Sequence, residues 1–183
     1  SLITPDAERT MITDLGAAIQ LPGVTHFEDE IRQSKLLYLT GYLMFGDMKE
    51  RMMEAISVAK SAGVKVSLDV ADPSVIQALR DDMLAVIKEH VDIIFLNESE
   101  AASLCGGSPE EAIEQLKSYC EIVVVKLGSK GSMAYSDGEV VHAGVHSVKA
   151  IDTTGAGDSY AAGFLYGWAK EWELQRCVEL GSR

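Results

Sequence analysis

The run VDIIFLNESEAASLCGGSPEEAIEQLKSYCEIVVVKLGSKG, Val91 to Gly131, carries the decision about the fold. VDIIFLN and EIVVVKL are short apolar runs with strand character, and the second is apolar throughout, as a strand covered on both faces must be. Two helical stretches lie between them. NESEAASL starts a helix that Gly106-Gly107 ends. SPEEAIEQLKSYC then opens with Ser108, Pro109 and Glu111, a capping box around a helix-starting proline. The same alternation extends towards the N-terminus. LLYLTGYL (Leu36 to Leu43) reads as a strand, and DMKERMMEAISVAKSAG as a helix with Met52, Ile56 and Ala59 at helical spacing and Gly63 as its stop. VKVSLDV is the next strand, ending at Asp69 and Asp72. PSVIQALRDDMLAVIKEH places Val75, Leu79, Met83 and Val86 on one helical face, with Pro73 in the first turn.

Beyond Lys126 the pattern changes. GSKGSMAYSDGEVVHAG has Gly128, Gly131 and Asp137-Gly138 at turn positions between alternating residues, which reads as a pair of antiparallel hairpins. A glycine segment and a helix from about Asp158 follow, with Ala161, Leu165, Trp168 and Trp172 on one face. The expected fold is α/β: a three-layer α/β/α arrangement around an open, mostly parallel sheet with terminal antiparallel hairpins. Neither an internal repeat nor a linker divides residues 1–183, so one domain is expected. SLITPDAERTMITDLG reads as a strand followed by a turn, and ELQRCVELGSR as a helix without a clear end. Such abrupt termini raise the expectation that the chain is a piece of something larger.

The 183 residues carry a net charge of −12, with 47% hydrophobic and 24% charged residues. This balance is globular, and it argues against nucleic acid or an anionic membrane as partner. Cys105, Cys120 and Cys177 show no C-x-x-C spacing, which fits free thiols in a reducing compartment, and a cytoplasmic location is expected. His26, His90, His142 and His146 have no metal spacing and receive no role.

DTTGAGDSYAAGFLYG, Asp152 to Gly167, bears the chemistry. Gly155-Ala156-Gly157 sits where a loop becomes a helix, and free amides there form an anion site. The alternative is an ordinary helix cap, for which Asp158 and the glycines are equally suited. Two familiar phosphate motifs fail. A dinucleotide fingerprint needs a small residue where Tyr160 stands, and a Walker A loop needs Lys-Ser/Thr after its second glycine, where Asp158 stands. An anion site paired with an acid suits a base that removes a hydroxyl proton beside amides holding phosphate charge. Asn97 and Glu100 form N-x-x-E, which by itself reads as a capping box. Lys126, Gly128, Ser129 and Gly131 read equally as a hairpin turn. Arg9 and Thr10 could reach a substrate, although an exposed Arg is usually a solvated charge.

The stretch from Asp152 to Leu165 resembles the C-terminal signature of the ribokinase family, the phosphofructokinase-B type of sugar kinases. TPDAERTM, the GYL after a strand, NESE and VKLGSKGS agree in order, and the resemblance is strongest to the bacterial adenosine-kinase-like branch. It implies an ATP- and Mg²⁺-dependent kinase acting on a small sugar or nucleoside. It implies Asp158 as catalytic base and the amides of Gly155, Ala156 and Gly157 as anion hole. By the same resemblance, Asn97 and Glu100 act indirectly on Mg²⁺ and phosphate, and Asp152 and Thr154 on a monovalent cation such as K⁺. Lys126, Gly128, Ser129 and Gly131 would lie along the nucleotide. Such kinases also carry an N-terminal third, with a substrate loop and lid strands, and a further C-terminal helix. The chain is therefore expected to be a nucleotide-binding middle with little activity alone, exposing a sheet edge that favours self-association. Thr40 departs from the glutamate often found in relatives and leaves the acceptor open. Two other readings compete: a non-catalytic binding module on a kinase scaffold, and a dinucleotide-dependent oxidoreductase, which Tyr160 disfavours.

Overall fold

A computed structural model describes residues 2–4, 9–20, 22–145 and 152–183, with Arg9 described by its backbone alone. Two short strands, β1 (Leu2–Ile3) and β2 (Arg9–Thr10), pair antiparallel in a small sheet of their own. The main sheet has six strands: β3 (Leu36–Thr40), β4 (Lys65–Asp69), β5 (Ile93–Asn97), β6 (Ile122–Lys126), β7 (Ser132–Ser136) and β8 (Glu139–Ala143). They lie side by side in chain order. The first four are parallel, and β7 and β8 return antiparallel.

Among the described residues there are seven α-helices: α1 (Glu28–Gln33), which packs on α2, and α2 (Asp47–Ser61), α3 (Pro73–His90), α4 (Glu98–Cys105), α5 (Pro109–Leu116), α6 (Ala156–Ala169) and α7 (Leu174–Gly181), which cover the sheet. Strict chain order means that every crossover moves in the same direction. Right-handed crossovers then put all their helices on one face. That face is packed by Met52, Ile56 and Ala59 of α2, Val75, Ile76 and Met83 of α3, Ala101 and Leu104 of α4, and Ala112 and Ile113 of α5. They rest on Val66, Leu68, Ile94, Leu96, Val123 and Val125. The opposite face presents Ile93, Phe95, Ile122, Val124 and Ala134, and α6 and α7 cover it with Tyr160, Ala161, Phe164, Cys177 and Val178. Two helical layers around a mixed sheet give the expected α/β/α architecture.

Local signals explain most element ends. Ser108 and Glu111 form the expected capping box with Pro109 in the first turn of α5. Gly106 closes α4 in the left-handed conformation. Asp137-Gly138, both at positive φ, turn β7 into β8.

Some expectations are corrected. Helix α6 starts at Ala156, two residues before Asp158. Its buried positions are Tyr160, Ala161, Phe164 and Gly167. Leu165 and Trp168 sit at the margin of this face, and Trp172 lies beyond the helix. The helix is apolar nearly all round, so spacing alone does not select its inner face. Phe95 does: its ring meets Phe164 edge-on, with centroids 5.4 Å apart at 87°. Leu79 breaks the regular backbone of α3 (φ −134°, ψ 26°) and is only partly buried, unlike Val75, Met83 and Val86. The N-terminal strand is followed by a second strand and then a 3-10 turn over Gly16–Gln20, and α1 was not anticipated.

Candidate active site

Ligands of open α/β sheets bind beyond the C-terminal ends of the parallel strands. Here those ends are Thr40, Asp69, Asn97 and Lys126. Side chains alternate along a strand, so these four point to the face covered by α6. The strand between β4 and β6 does not keep their charges apart. Lys126 Nζ reaches across it to Asp69 Oδ2 at 2.7 Å, and both side chains are mostly buried, 15% and 10% exposed.

Asp69 is fixed from a second side. Its Oδ1 accepts the Ala71 N–H at 3.1 Å. Ala71 has φ +79°, and the Asp72 N–H returns to the Val70 carbonyl at 3.2 Å, closing a tight three-residue turn. A left-handed alanine costs roughly 1–2 kcal/mol and persists only where its surroundings impose it. One imposing neighbour is Gly41, which lies so close that a Cβ there would stand 2.3 Å from the Val70 carbonyl oxygen. Thr40 accepts the Tyr42 N–H on its hydroxyl, so the residue that departs from the family pattern caps the turn after β3.

Asn97 and Glu100 realise the capping-box reading in full. Asn97 Oδ1 accepts the Glu100 N–H at 2.9 Å, and Glu100 Oε2 accepts the Asn97 N–H at 2.7 Å. The second Glu100 oxygen accepts from Asn97 Nδ2 at 2.6 Å. Glu100 is 2% exposed. Burial pushes its carboxyl up to about 7, against the opposing pull of the Asn97 N–H and the Lys126 charge, with Asp69 and Asp72 adding to the rise. Among the described residues no group of three or more histidine, cysteine or acidic side chains could hold a metal. Amide and carboxylate oxygens such as those of Asn97 and Glu100 are donor types that hydrated Mg²⁺ takes as outer partners. Asp152 Oδ1 accepts the Thr154 N–H at 2.8 Å. Residues 146–151, beside this pair, are outside the described residues, as is His146.

The glycine segment bears on both the cap and the anion-site readings. The N-cap is Gly155, at φ +75°, a conformation in which a side chain is strained. Asp158 is the third residue of the helix, exposed, and its side chain caps nothing. The Ala156 N–H bonds to the Thr153 carbonyl at 3.1 Å. Gly157 and Asp158 carry first-turn amides with no earlier turn to receive them. A Cβ at Gly157 would lie 3.2 Å from Lys126 Nζ, so the bare backbone makes room for the ammonium.

Two clefts meet here. The first, of about 390 Å³, is lined by Met11, Tyr38, Thr40, Tyr42, Asp69 and Asp158, among others. The second, of about 500 Å³, runs along Gly128, Gly131, Tyr160, Leu180 and Arg183. Asn97, Lys126 and Gly157 line both. Burial raises the Tyr38 phenol well above its usual value, and the charges of Asp69, Asp158 and Glu100 act in the same direction. Of the expected site residues, Thr10, Ser129 and Asp152 line neither cleft, and the Arg9 side chain is outside the described residues. A larger hollow of about 740 Å³ lies near the opposite end of the strands, against Glu121, Trp168 and Trp172, away from these groups. Sequence reasoning missed Asp69, Tyr38 and Tyr42 as site residues. Asp69 and Tyr42 lie at or just beyond the C-terminal end of a parallel strand, and Tyr38 lies two residues before the end of β3, on the same face as Thr40.

An α/β/α sheet with two clefts meeting beyond the C-terminal ends of its parallel strands defines a protein of the ribokinase-like fold class. Comparison with known proteins narrows this. The whole chain, residues 1–183, matches the pfkB family carbohydrate kinase profile, and the chain belongs to that family. It is 32% identical over 164 residues to a 5-dehydro-2-deoxygluconokinase of Bacillus licheniformis, an alignment covering 85% of this chain and 50% of the relative. The fold matches a probable sugar kinase from Rhizobium etli CFN 42 with a TM-score of 0.92 at 32% identity, covering 98% of this chain and 56% of that one. It also matches an adenosine kinase from Sinorhizobium meliloti with a TM-score of 0.81 at 33% identity, covering 85% and 49%. The chain spans about half the length of the curated relatives it matches.

Proposed function

We propose that this chain is the nucleotide- and phosphate-binding part of an ATP-dependent kinase that phosphorylates a hydroxyl group of a sugar or nucleoside. The observation that carries this is the division of labour between the clefts. Asp158 lines only the first, the turn glycines Gly128 and Gly131 only the second, and Asn97, Lys126 and Gly157 stand between. The second cleft takes the nucleotide and the first takes the acceptor.

Asp158 removes the proton of the acceptor hydroxyl as that oxygen attacks the γ-phosphorus. The bond from this phosphorus to the β,γ-bridging oxygen breaks, and ADP leaves. Charge on the transferred group is met by Lys126 and by the amides of the α6 start, Gly155 to Gly157 in the reading above, with Gly157 and Asp158 offering their N–H groups in the present conformation. Mg²⁺, when bound with the nucleotide, neutralises phosphate charge. Asn97 and Glu100 would order its water shell, and Asp152 and Thr154 would contribute to a monovalent-cation site. The relatives include both a 5-dehydro-2-deoxygluconokinase and an adenosine kinase, so the acceptor is left at the level of a hydroxyl on a sugar or nucleoside.

These 183 residues alone should turn over slowly. Phosphoryl transfer needs an acceptor held in line and shielded from water. Tyr38 and Tyr42 on the acceptor cleft are 39% and 43% exposed, so that wall is open. Calorimetric titration with MgATP and with NAD tests the reading. Binding of MgATP without binding of NAD is expected. NAD binding, or no binding of MgATP, would remove the kinase reading for this chain.

A further inference from the structure

Resting on that reading, the ion pair at the junction of the clefts has a consequence for how phosphate is received. A lysine that meets a phosphate chain normally waits in solvent. Lys126 does not: its ammonium is paired with a carboxylate in a mostly buried setting. The carboxylate cannot swing away freely, because the Ala71 N–H holds its other oxygen and Gly41 backs the strained turn that supplies this N–H. On its far side the same ammonium lies against the start of α6, near enough to Gly157 that a side chain there would crowd it. One cation therefore faces two anionic positions, one filled by Asp69 in this structure and one open at the helix start.

We propose that Asp69 is the resident counter-ion of Lys126 and competes with incoming phosphate for it, so that phosphate binding proceeds by partner exchange at this lysine. The pairing keeps a buried cation from standing uncompensated while the site is empty. A phosphate oxygen arriving at the Gly157 amide takes over the ammonium in a charge-assisted hydrogen bond. Asp69 is then left facing the acceptor cleft, which it already lines, with one oxygen able to accept a hydrogen bond from a hydroxyl group. Asp69 is thus a positioning residue that acts through Lys126 and that links occupancy of the two clefts.

The test uses inorganic tripolyphosphate, which carries the phosphate chain without the base, titrated into the 183-residue chain. Two substitutions break the same ion pair. If the pair is only structural, Lys126→Met and Asp69→Asn change tripolyphosphate affinity alike. If Asp69 competes for Lys126, they diverge. Lys126→Met should weaken binding about tenfold or more, and Asp69→Asn should tighten it by about threefold or more, since a neutral amide competes less for the ammonium. The double variant Asp69→Asn/Lys126→Met removes both buried charges and serves should Lys126→Met alone fail to fold; it should bind as weakly as expected of the lysine variant. Unchanged affinity on loss of Lys126, including no binding by any form, or weaker binding in Asp69→Asn, would overturn the proposal. Because no adenine is involved, the outcome is separable from that of the MgATP titration.

Discussion

Asp158 stands in the first turn of α6 with its carboxylate exposed and uncommitted to capping. In the proposed reaction a base must reach the acceptor hydroxyl, whereas amides and Lys126 hold the phosphate chain. Asp158→Asn should therefore lower phosphoryl transfer by roughly 10²–10⁴-fold while leaving MgATP affinity nearly unchanged. Turnover by the full-length kinase and calorimetry together check this, and near-normal turnover would exclude Asp158 as base. Glu100 offers a pH-dependent signature. Its carboxyl is raised from an ordinary 4.5 to about 7, mainly by burial. The folded state thus binds this proton more tightly than the unfolded chain. The resulting stability is complete below about pH 4.5 and is lost as pH rises through about 7. Glu100→Gln, neutral throughout, should show none of that loss. The stability of the native chain relative to this variant should fall by at most about 3 kcal/mol between pH 4.5 and 8. Denaturant melts of both proteins across this range measure it, and parallel profiles would contradict the raised value.

At the scale of elements, α6 carries both the proposed anion site and Phe164, one of the largest fully buried side chains of the protein. Phe164 is fully buried against Phe95, so Phe164→Ala should cost about 3–5 kcal/mol in a denaturant melt. A loss below about 1 kcal/mol would mean that the packing of α6 on the sheet is not as described. How much could be read beforehand follows the physics of each element. The strand–helix order from Leu36 to Lys126 was legible because apolar runs, capping boxes and glycine stops are local signals. The start of α6 was legible only to within two residues: the helix was expected from about Asp158, whereas Gly155, in the left-handed conformation, is the cap and Ala156 the first helical residue. Its inner face was hidden because an evenly apolar helix has no stripe. Asp158, Gly157, Asn97 and Lys126 were named from a motif, but the Asp69–Lys126 pair joins residues 57 apart across an intervening strand. No spacing rule reports a contact made by sheet register.

For the whole molecule, apolar exposure is concentrated at the N-terminal segment. Leu2, Ile3, Met11, Ile12, Leu15 and Ile19 are all exposed, Ile12 to 88%. Strand β3, on the rim of the main sheet, has a free edge among the described strands. Apolar side chains and unpaired strand edges recruit further chains. We expect the 183-residue chain to form dimers or larger species at micromolar concentration. Multi-angle light scattering would show this, and a monodisperse monomer would refute it. The two faces of the main sheet also set a timetable. The crossover helices follow their strands closely, so one face can close as the chain grows from the ribosome. The other face, with Ile93, Phe95, Ile122 and Val124, waits for residues 156–181. At about 5–20 residues per second, that wait lasts seconds. During it the nascent protein offers a sticky surface to chaperones, and the segment that completes the phosphate site is also the one that ends this vulnerable interval.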